Sequence, residues 1–412
     1  MREAASDGPA APIIDHPLVP SGKPILVEDA EGMAAAADAI RASGTFAYDT
    51  EFIGEETYIP QLCVVQLATS EAVWLVDPLA GVDLTPVWEL IADPDVTCVV
   101  HAGQQDLEPV VRLLDREPAA VVDTQIATGF LDLPYPLSLA ALIEHFLGVK
   151  IGKGMTFTRW DKRPLSSAHL RYAANDVRYL VAVWRAIMVR LEAAGHLDAV
   201  REECTAVCGR EHFSFDVDRR TDRVVGSRNF RPRQVAVTRA LLTMRDELAR
   251  ERDLPPRSIL RDEIVARIAK DMPAQRSDFD RMKGMPRPMI ESHGDVMLDL
   301  VAAIKDQPTS ELPPRVSDEE SVADRVAIDS LWAVLQTMCR GRGVDPSLVG
   351  GRKDIARLWV SLHHPDRARP HSLAGGWREA MFGAPLRGMI AGEGGFSVDW
   401  VGGVVRTATP DA

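Results

Sequence analysis

Two periods of apolar spacing alternate along the first half of the chain, and each switch between them marks an element. Pro24-Ile25-Leu26-Val27 is a short apolar run that reads as a strand, and Glu28 to Ser43 carries an alanine-rich helical pattern closed by Gly44. The next run, Phe46-Ala47-Tyr48-Asp49-Thr50-Glu51, is expected to be a strand ending in two carboxylates one residue apart. Phe52 to Pro60 reads as a loop. Gln61 to Ala68 and Ala72 to Val76 then form two strands joined by a turn at Ser70. A helix around Leu84 to Ala92, a strand from Thr97 to His101 and a helix from about Leu107 to Leu114 follow. Residues 138 to 147 are helical, and Ser166-Ser167-Ala168-His169 caps a long helix running to about Ala194. Strands alternating with helices imply an α/β sheet with helices on its faces.

The second half keeps only the helical period. Leu241 to Leu260 and Asp262 to Lys270 are amphipathic and carry many arginines, Pro313-Pro314-Arg315 reads as a linker, and a further helical segment runs from about Asp318 to Arg342 and beyond. Residues 1 to 22 lack periodicity and are expected to form a mobile arm, and Gly402 to Ala412 a frayed tail.

With 412 residues the chain has room for two or three domains. A composition 46% hydrophobic and 26% charged excludes wholesale disorder. No run of about 18 apolar residues offers a membrane span, and the N-terminus lacks a basic segment followed by an apolar one, so a cytoplasmic location is expected. Five cysteines with no Cys-x-x-Cys pair argue against a disulfide framework and against structural zinc. The net charge of −13 disfavours indiscriminate nucleic-acid binding, so any such surface has to be a local patch.

Candidate chemistry is scattered along this frame. Strand alternation points Asp49 and Glu51 to one face. Like charges so close repel and lose hydration, so a fold keeps such a pair chiefly where cations neutralise it, although Asp-x-Glu is common on solvated strands. Asp106 falls at a helix start just past a strand end, where it serves as a cap or belongs to a site of the kind α/β sheets build there. Tyr172 and Asp176, four apart on a helix, share a face. Between these positions lies a basic loop containing Lys150, Lys153, Arg159, Lys162 and Arg163 with Phe157 and Trp160. It has charges to meet phosphates and rings to stack on bases, or it is a solvated loop with its two aromatics packed inward.

In chain order the set is Asp49-x-Glu51, Asp106 and Tyr172-x-x-x-Asp176, which resembles the three exonuclease motifs of the DEDD superfamily in its tyrosine-bearing subgroup. His101-Ala102-Gly103-Gln104-Gln105-Asp106-Leu107-Glu108, Arg163-Pro164-Leu165-Ser166 and Tyr172 to Leu180 resemble the ribonuclease D family, over roughly residues 24 to 200. Downstream, Leu241 to Lys270, Met282-Lys283-Gly284-Met285-Pro286 and Ser292-His293-Gly294-Asp295 are similar to the helical HRDC module, and Ala374-Gly375-Gly376-Trp377-Arg378 resembles the closing helix of a second one. The resemblance implies a ribonuclease H-like exonuclease domain (23–212), with a mixed sheet flanked by helices. It is followed by an all-α HRDC domain (228–308), a second HRDC-like helical domain (316–401) and a tail (402–412). It implies a 3′→5′ exoribonuclease that releases nucleoside 5′-monophosphates from RNA 3′ ends, tRNA precursors among them. Asp49, Glu51, Asp106 and Asp176 would hold two divalent cations, Mg²⁺ or Mn²⁺, and Tyr172 would orient the attacking water. A DNA exonuclease and a non-catalytic RNA-binding adaptor remain as alternatives. One departure concerns substrate selection: where the family usually has Ser-Asp-Trp, this chain has Thr158-Arg159-Trp160.

Overall fold

The computed structural model describes residues 14–152, 159–226, 228–312, 320–395, 397–401 and 404–408. They form two compact units, one of residues 14–51, 63–213 and 320–408, the other of residues 52–62 and 214–312.

The first unit is built on a six-stranded sheet, β1 (Ile25–Val27), β2 (Thr45–Ile53), β3 (Gln61–Ala68), β4 (Val73–Val76), β5 (Thr97–Val100) and β6 (Val121–Asp123), in the order β1-β4-β3-β2-β5-β6. β3 and β4 are the antiparallel hairpin, while β1 runs parallel to β4, and β2, β5 and β6 run parallel to one another. The sheet is therefore mixed. Helices α1 (Ala30–Ser43), α2 (Thr85–Ile91), α3 (Glu108–Leu114), α4 (Thr124–Thr128), α5 (Leu139–Leu147), α6 (Ser167–Arg178), α7 (Leu180–Ala194) and α8 (Leu197–Ala206) accompany it. Phe46, Ala47, Cys63, Val65, Cys98 and Val99 are wholly buried, which is why the central strands read as nearly continuous apolar runs. The pairing of β2 with β5 covers Thr45, Phe46 and Ala47 against Thr97, Cys98 and Val99. β2 thus runs on beyond the end of its parallel neighbour, and the acids of β2 lie on that overhang.

Four expectations give way here. Residues 14–22 are not a loose arm: Val19 is buried and the buried Arg178 guanidinium donates to the Pro20 carbonyl. The long helix after Ser166 is two helices, interrupted at Tyr179, so that Arg178 can turn toward Pro20 and Tyr179 can enter the core. Residues 404–408, expected in the tail, form a strand paired antiparallel with Ser397–Val401. β2 also continues two residues into the expected loop.

The second unit is a helical bundle of α9 (Val217–Val225), α10 (Pro232–Glu251), α11 (Pro256–Ile259), α12 (Asp262–Asp271), α13 (Arg276–Asp280) and α14 (Arg287–Asp306). Its core gathers Val237, Leu241, Leu242, Val265, Ile268, Phe279, Met297 and Val301. The buried Arg245 guanidinium donates through Nη1 to the Leu260 carbonyl (3.0 Å) and to Asp262 (2.6 Å). Residues 52–62 belong to this unit through Tyr58. Its hydroxyl donates to Asp246 Oδ1 (2.9 Å), its amide donates to Asp253 Oδ1 (3.1 Å), and Arg250 stacks over its ring while bonding Asp246 Oδ2.

The C-terminal segment returns to the first unit with α15 (Val322–Arg342), α16 (Pro346–Val349), α17 (Arg352–His363) and a helical run from Gly376 to Ala391. It is bonded to the α/β part. Trp377 Nε1 and the Arg378 guanidinium donate to the two oxygens of Glu203 on α8 (3.0 and 2.7 Å), and the Trp377 ring packs 4.8 Å from Phe130. Gly129 leaves the space that Leu348 fills; a Cβ there would stand 2.4 Å from Leu348 Cδ1. Among the described residues no helix is long and apolar enough to cross a membrane. Lys153, Phe157, Thr158 and the Pro313-Pro314-Arg315 linker lie outside the described residues.

Candidate active site

β2 supplies Asp49 and Glu51 from alternate positions on its overhang. β5, its parallel neighbour, ends at Val100, and the chain then turns sharply through Ala102, whose φ is +55°, and Gly103. Gly103 is required by space: a Cβ there would lie 2.7 Å from Val100 Cβ. The turn delivers Asp106 in a short 3₁₀ stretch, Gln105–Leu107, ahead of α3. His101 faces elsewhere, with Nδ1 3.0 Å from Thr124 Oγ1. α6 begins with a capping box between Ser166 and His169 and carries Tyr172 and then Asp176 one turn later.

The four acids converge in charge. Burial pushes Asp49 well above the ordinary carboxylate range, and the charges of Asp106, Asp176 and Glu51 push it further. Burial, then Asp176 and Asp106, raise Glu51 to about 8. Burial alone lifts Asp176 to about 7 against a bond from Tyr172, while burial, helped by the charge of Asp123, lifts Asp106 to about 6 against a bond from Thr50. Asp176 Oδ2 is buried with no hydrogen-bond partner. Among the described residues no three His, Cys, Asp or Glu side chains gather as tightly as a bound ion's ligands. Tyr172 bonds Asp176, and burial followed by the neighbouring carboxylates pushes its phenol well above the usual range.

The basic loop divides between support and surface. Trp160 is buried, its ring centroid 5.0 Å from His169 and 6.0 Å from Tyr172, so it is a backing for the tyrosine and not an open stacking platform. Arg163 is spent internally on Asp77 (2.5 and 2.7 Å) and on the carbonyls of Cys63 and Trp160. Arg159 forks onto Asp161 at 2.9 and 2.7 Å. Lys150, exposed, pairs with Glu144 at 3.3 Å, and Lys162 is exposed.

Sequence reasoning passed over two groups. Tyr48 is buried and donates its hydroxyl to the Asp106 carbonyl (2.7 Å). Asp123, at the end of β6, accepts from the amides of Ala102 (2.9 Å) and Gln125 (2.8 Å) and so braces the turn that leads to Asp106. An Asp at a strand-to-helix junction was a legible signal for the second; nothing in the sequence announced the first.

Residues 24–192 match the 3′-5′ exonuclease family and residues 234–301 the HRDC domain. Ribonuclease D of Gluconacetobacter diazotrophicus is 34% identical over 363 residues, covering 87% of this chain and 91% of that protein. The chain belongs to the ribonuclease D family. Ribonuclease D of Escherichia coli K12 is 30% identical over 368 residues, covering 89% of this chain and 98% of the relative. The crystal structure of Escherichia coli ribonuclease D, described as an exoribonuclease involved in structured RNA processing, superposes with a TM-score of 0.78 at 28% identity, covering 90% of this chain and 99% of that one. As a member of the ribonuclease D family the protein is a 3′→5′ exoribonuclease with a ribonuclease H-like exonuclease domain and an HRDC domain. Exonucleases of this family depend on divalent metal ions.

Proposed function

We propose that the protein trims 3′ extensions of structured RNA in the cytoplasm, tRNA precursors among them, and releases nucleoside 5′-monophosphates with the help of two divalent cations. The observation that carries the reading is that Asp49, Glu51, Asp106 and Asp176 feel one another's charge in a buried setting where Asp176 Oδ2 has no hydrogen-bond partner. An all-oxygen set of this kind suits Mg²⁺ or Mn²⁺ better than zinc. Asp49, Glu51, Asp106 and Asp176 would hold the two ions. Bound there, such ions neutralise the terminal phosphodiester and the departing 3′ oxygen and lower the pKa of a coordinated water.

The side chains of this chain do the placing. Tyr172 keeps its proton, because burial and the surrounding carboxylates oppose its ionisation. Its hydroxyl therefore bonds Asp176 and presents lone pairs to the attacking water, which it orients without deprotonating. Trp160 behind the ring and the capped start of α6 fix its direction. Lys150 and Lys162 meet phosphates of the RNA strand. The substrate class is supported by the structured-RNA role of the Escherichia coli relative.

The test offers a 3′-extended tRNA transcript, and DNA of the same sequence, to the purified protein in Mg²⁺, Mn²⁺ or chelator. Stepwise shortening of the RNA with release of nucleoside 5′-monophosphates is expected, abolished by chelator and by Asp176→Asn in a protein that still melts cooperatively. Undiminished trimming in chelator, or no monophosphate from any RNA, overturns the reading; faster attack on the DNA moves the substrate class to DNA.

A further inference from the structure

β2 does more than carry two of the acids. From Asp49 onward the strand has no β5 backbone beside it, because the register sets Ala47 against Val99 and β5 ends one residue later at Val100, level with Tyr48. The vacated flank is taken by the turn bearing Asp106, and two side chains of β2 that do not share the face of Asp49 and Glu51 reach that residue. The Tyr48 hydroxyl donates to the Asp106 main-chain oxygen at 2.7 Å, and the Thr50 hydroxyl donates to Asp106 Oδ1. Thr50 is buried, 8% exposed, and its partner lies 56 residues away in sequence. Two other buried threonines satisfy their protons on main-chain carbonyls, Thr124 on Val100 and Thr128 on Gln125. Spending that single proton on a carboxylate oxygen fixes the rotation of the acid.

The geometry points to Thr50 as a positioning residue: its hydroxyl, with Tyr48 holding the main chain, locks Asp106 so that the acid offers a cation Oδ2 in fixed register with Asp49 and Glu51. This rests on the proposed role of Asp106 as a metal ligand. A 3₁₀ turn of three residues cannot by itself hold a carboxylate still against three others of like charge, whereas a bond from the strand that bears two of them sets all three from one rigid element.

The experiment compares Thr50→Val, Thr50→Ser and Asp106→Asn in the full-length protein by steady-state trimming of the 3′-extended transcript, by calorimetric Mn²⁺ binding without RNA, and by thermal melting. Thr50→Val, which keeps the shape and removes the proton, is expected to lose about 10- to 100-fold in kcat and in Mn²⁺ affinity with KM for RNA nearly unchanged. Thr50→Ser should recover to within a few-fold of the parent in both. Should the valine variant fail to fold, Thr50→Ala is read by the same criteria. Parent-like kcat and Mn²⁺ affinity in the valine or alanine variant beside an inactive Asp106→Asn overturns the positioning role and leaves the ligand reading standing. An active Asp106→Asn with parent-like Mn²⁺ binding overturns both.

Discussion

At the scale of single residues, the acids of the site are held against their own charge, and that has a consequence for stability. Glu51 is raised to about 8, Asp176 to about 7 and Asp106 to about 6, from the ordinary range near 4. In metal-free protein the folded state therefore keeps protons that the unfolded chain has already released. The stabilisation is complete below about pH 4 and is lost as pH rises through about 6 to 8. The melting temperature in chelator should accordingly fall between pH 5 and 8.5, and added Mn²⁺ should raise it most at the alkaline end. A profile in chelator that is flat or rises with pH would contradict the crowding of these acids. Which residues carry the charge was legible, because strand alternation and helical i,i+4 spacing are local rules that Asp49, Glu51, Tyr172 and Asp176 obey. What holds Asp106 was not: the same alternation that pairs Asp49 with Glu51 sends Tyr48 and Thr50 the other way. Only the early end of β5 lets them turn back toward it.

At the scale of elements, the turn from Val100 to Asp106 and the loop ahead of α6 are the parts the chain had to build specially. Most strands and helices of the sheet could be read from apolar spacing, and their caps from residues such as Asp29, Ser138 and Ser166. The short β6 and α4 were missed, since three or five residues are too few to display a period. The basic loop was ambiguous for a different reason: whether a ring or a guanidinium faces water is decided by distant partners. Arg163 finds Asp77, 86 positions earlier, and Trp160 finds Tyr172. Replacing Trp160 by leucine should therefore leave the loop tethered through Arg163 but loosen Tyr172. The expected result is a kcat lower by about tenfold to a hundredfold with KM for RNA changed little, while Trp160→Phe keeps most of the rate. A leucine variant whose loss lies in KM alone would return Trp160 to RNA contact.

At the scale of the whole molecule, the proline-rich stretch near residue 313 suggests a C-terminal part that can be removed, yet the bonds across to α8 say otherwise. Glu203 is buried and both its oxygens are satisfied by Trp377 and Arg378. Removing one partner of a buried ionic pair costs about 3–5 kcal/mol, and deleting a buried tryptophan side chain a similar amount. Protein ending at residue 318 should thus fail to give a cooperative melt and should elute as aggregate, and Trp377→Ala should lower the melting temperature by several degrees at least. A truncated protein that melts like the parent would show the segment to be an accessory. These contacts could not be read in the sequence, because nothing local to Glu203 or Trp377 reveals a partner more than 170 residues away.

Tyr58 carries a related lesson for how such chains diversify. It stands on the connection between β2 and β3, yet its hydroxyl, amide and ring are all engaged by Asp246, Asp253 and Arg250 of the helical bundle. A bundle exchanged by recombination has to arrive with acceptors for that tyrosine, and a transplanted nuclease core has to bring the tyrosine itself. A crossover between residues 62 and 246 would divide these four residues and leave the tyrosine without its acceptors.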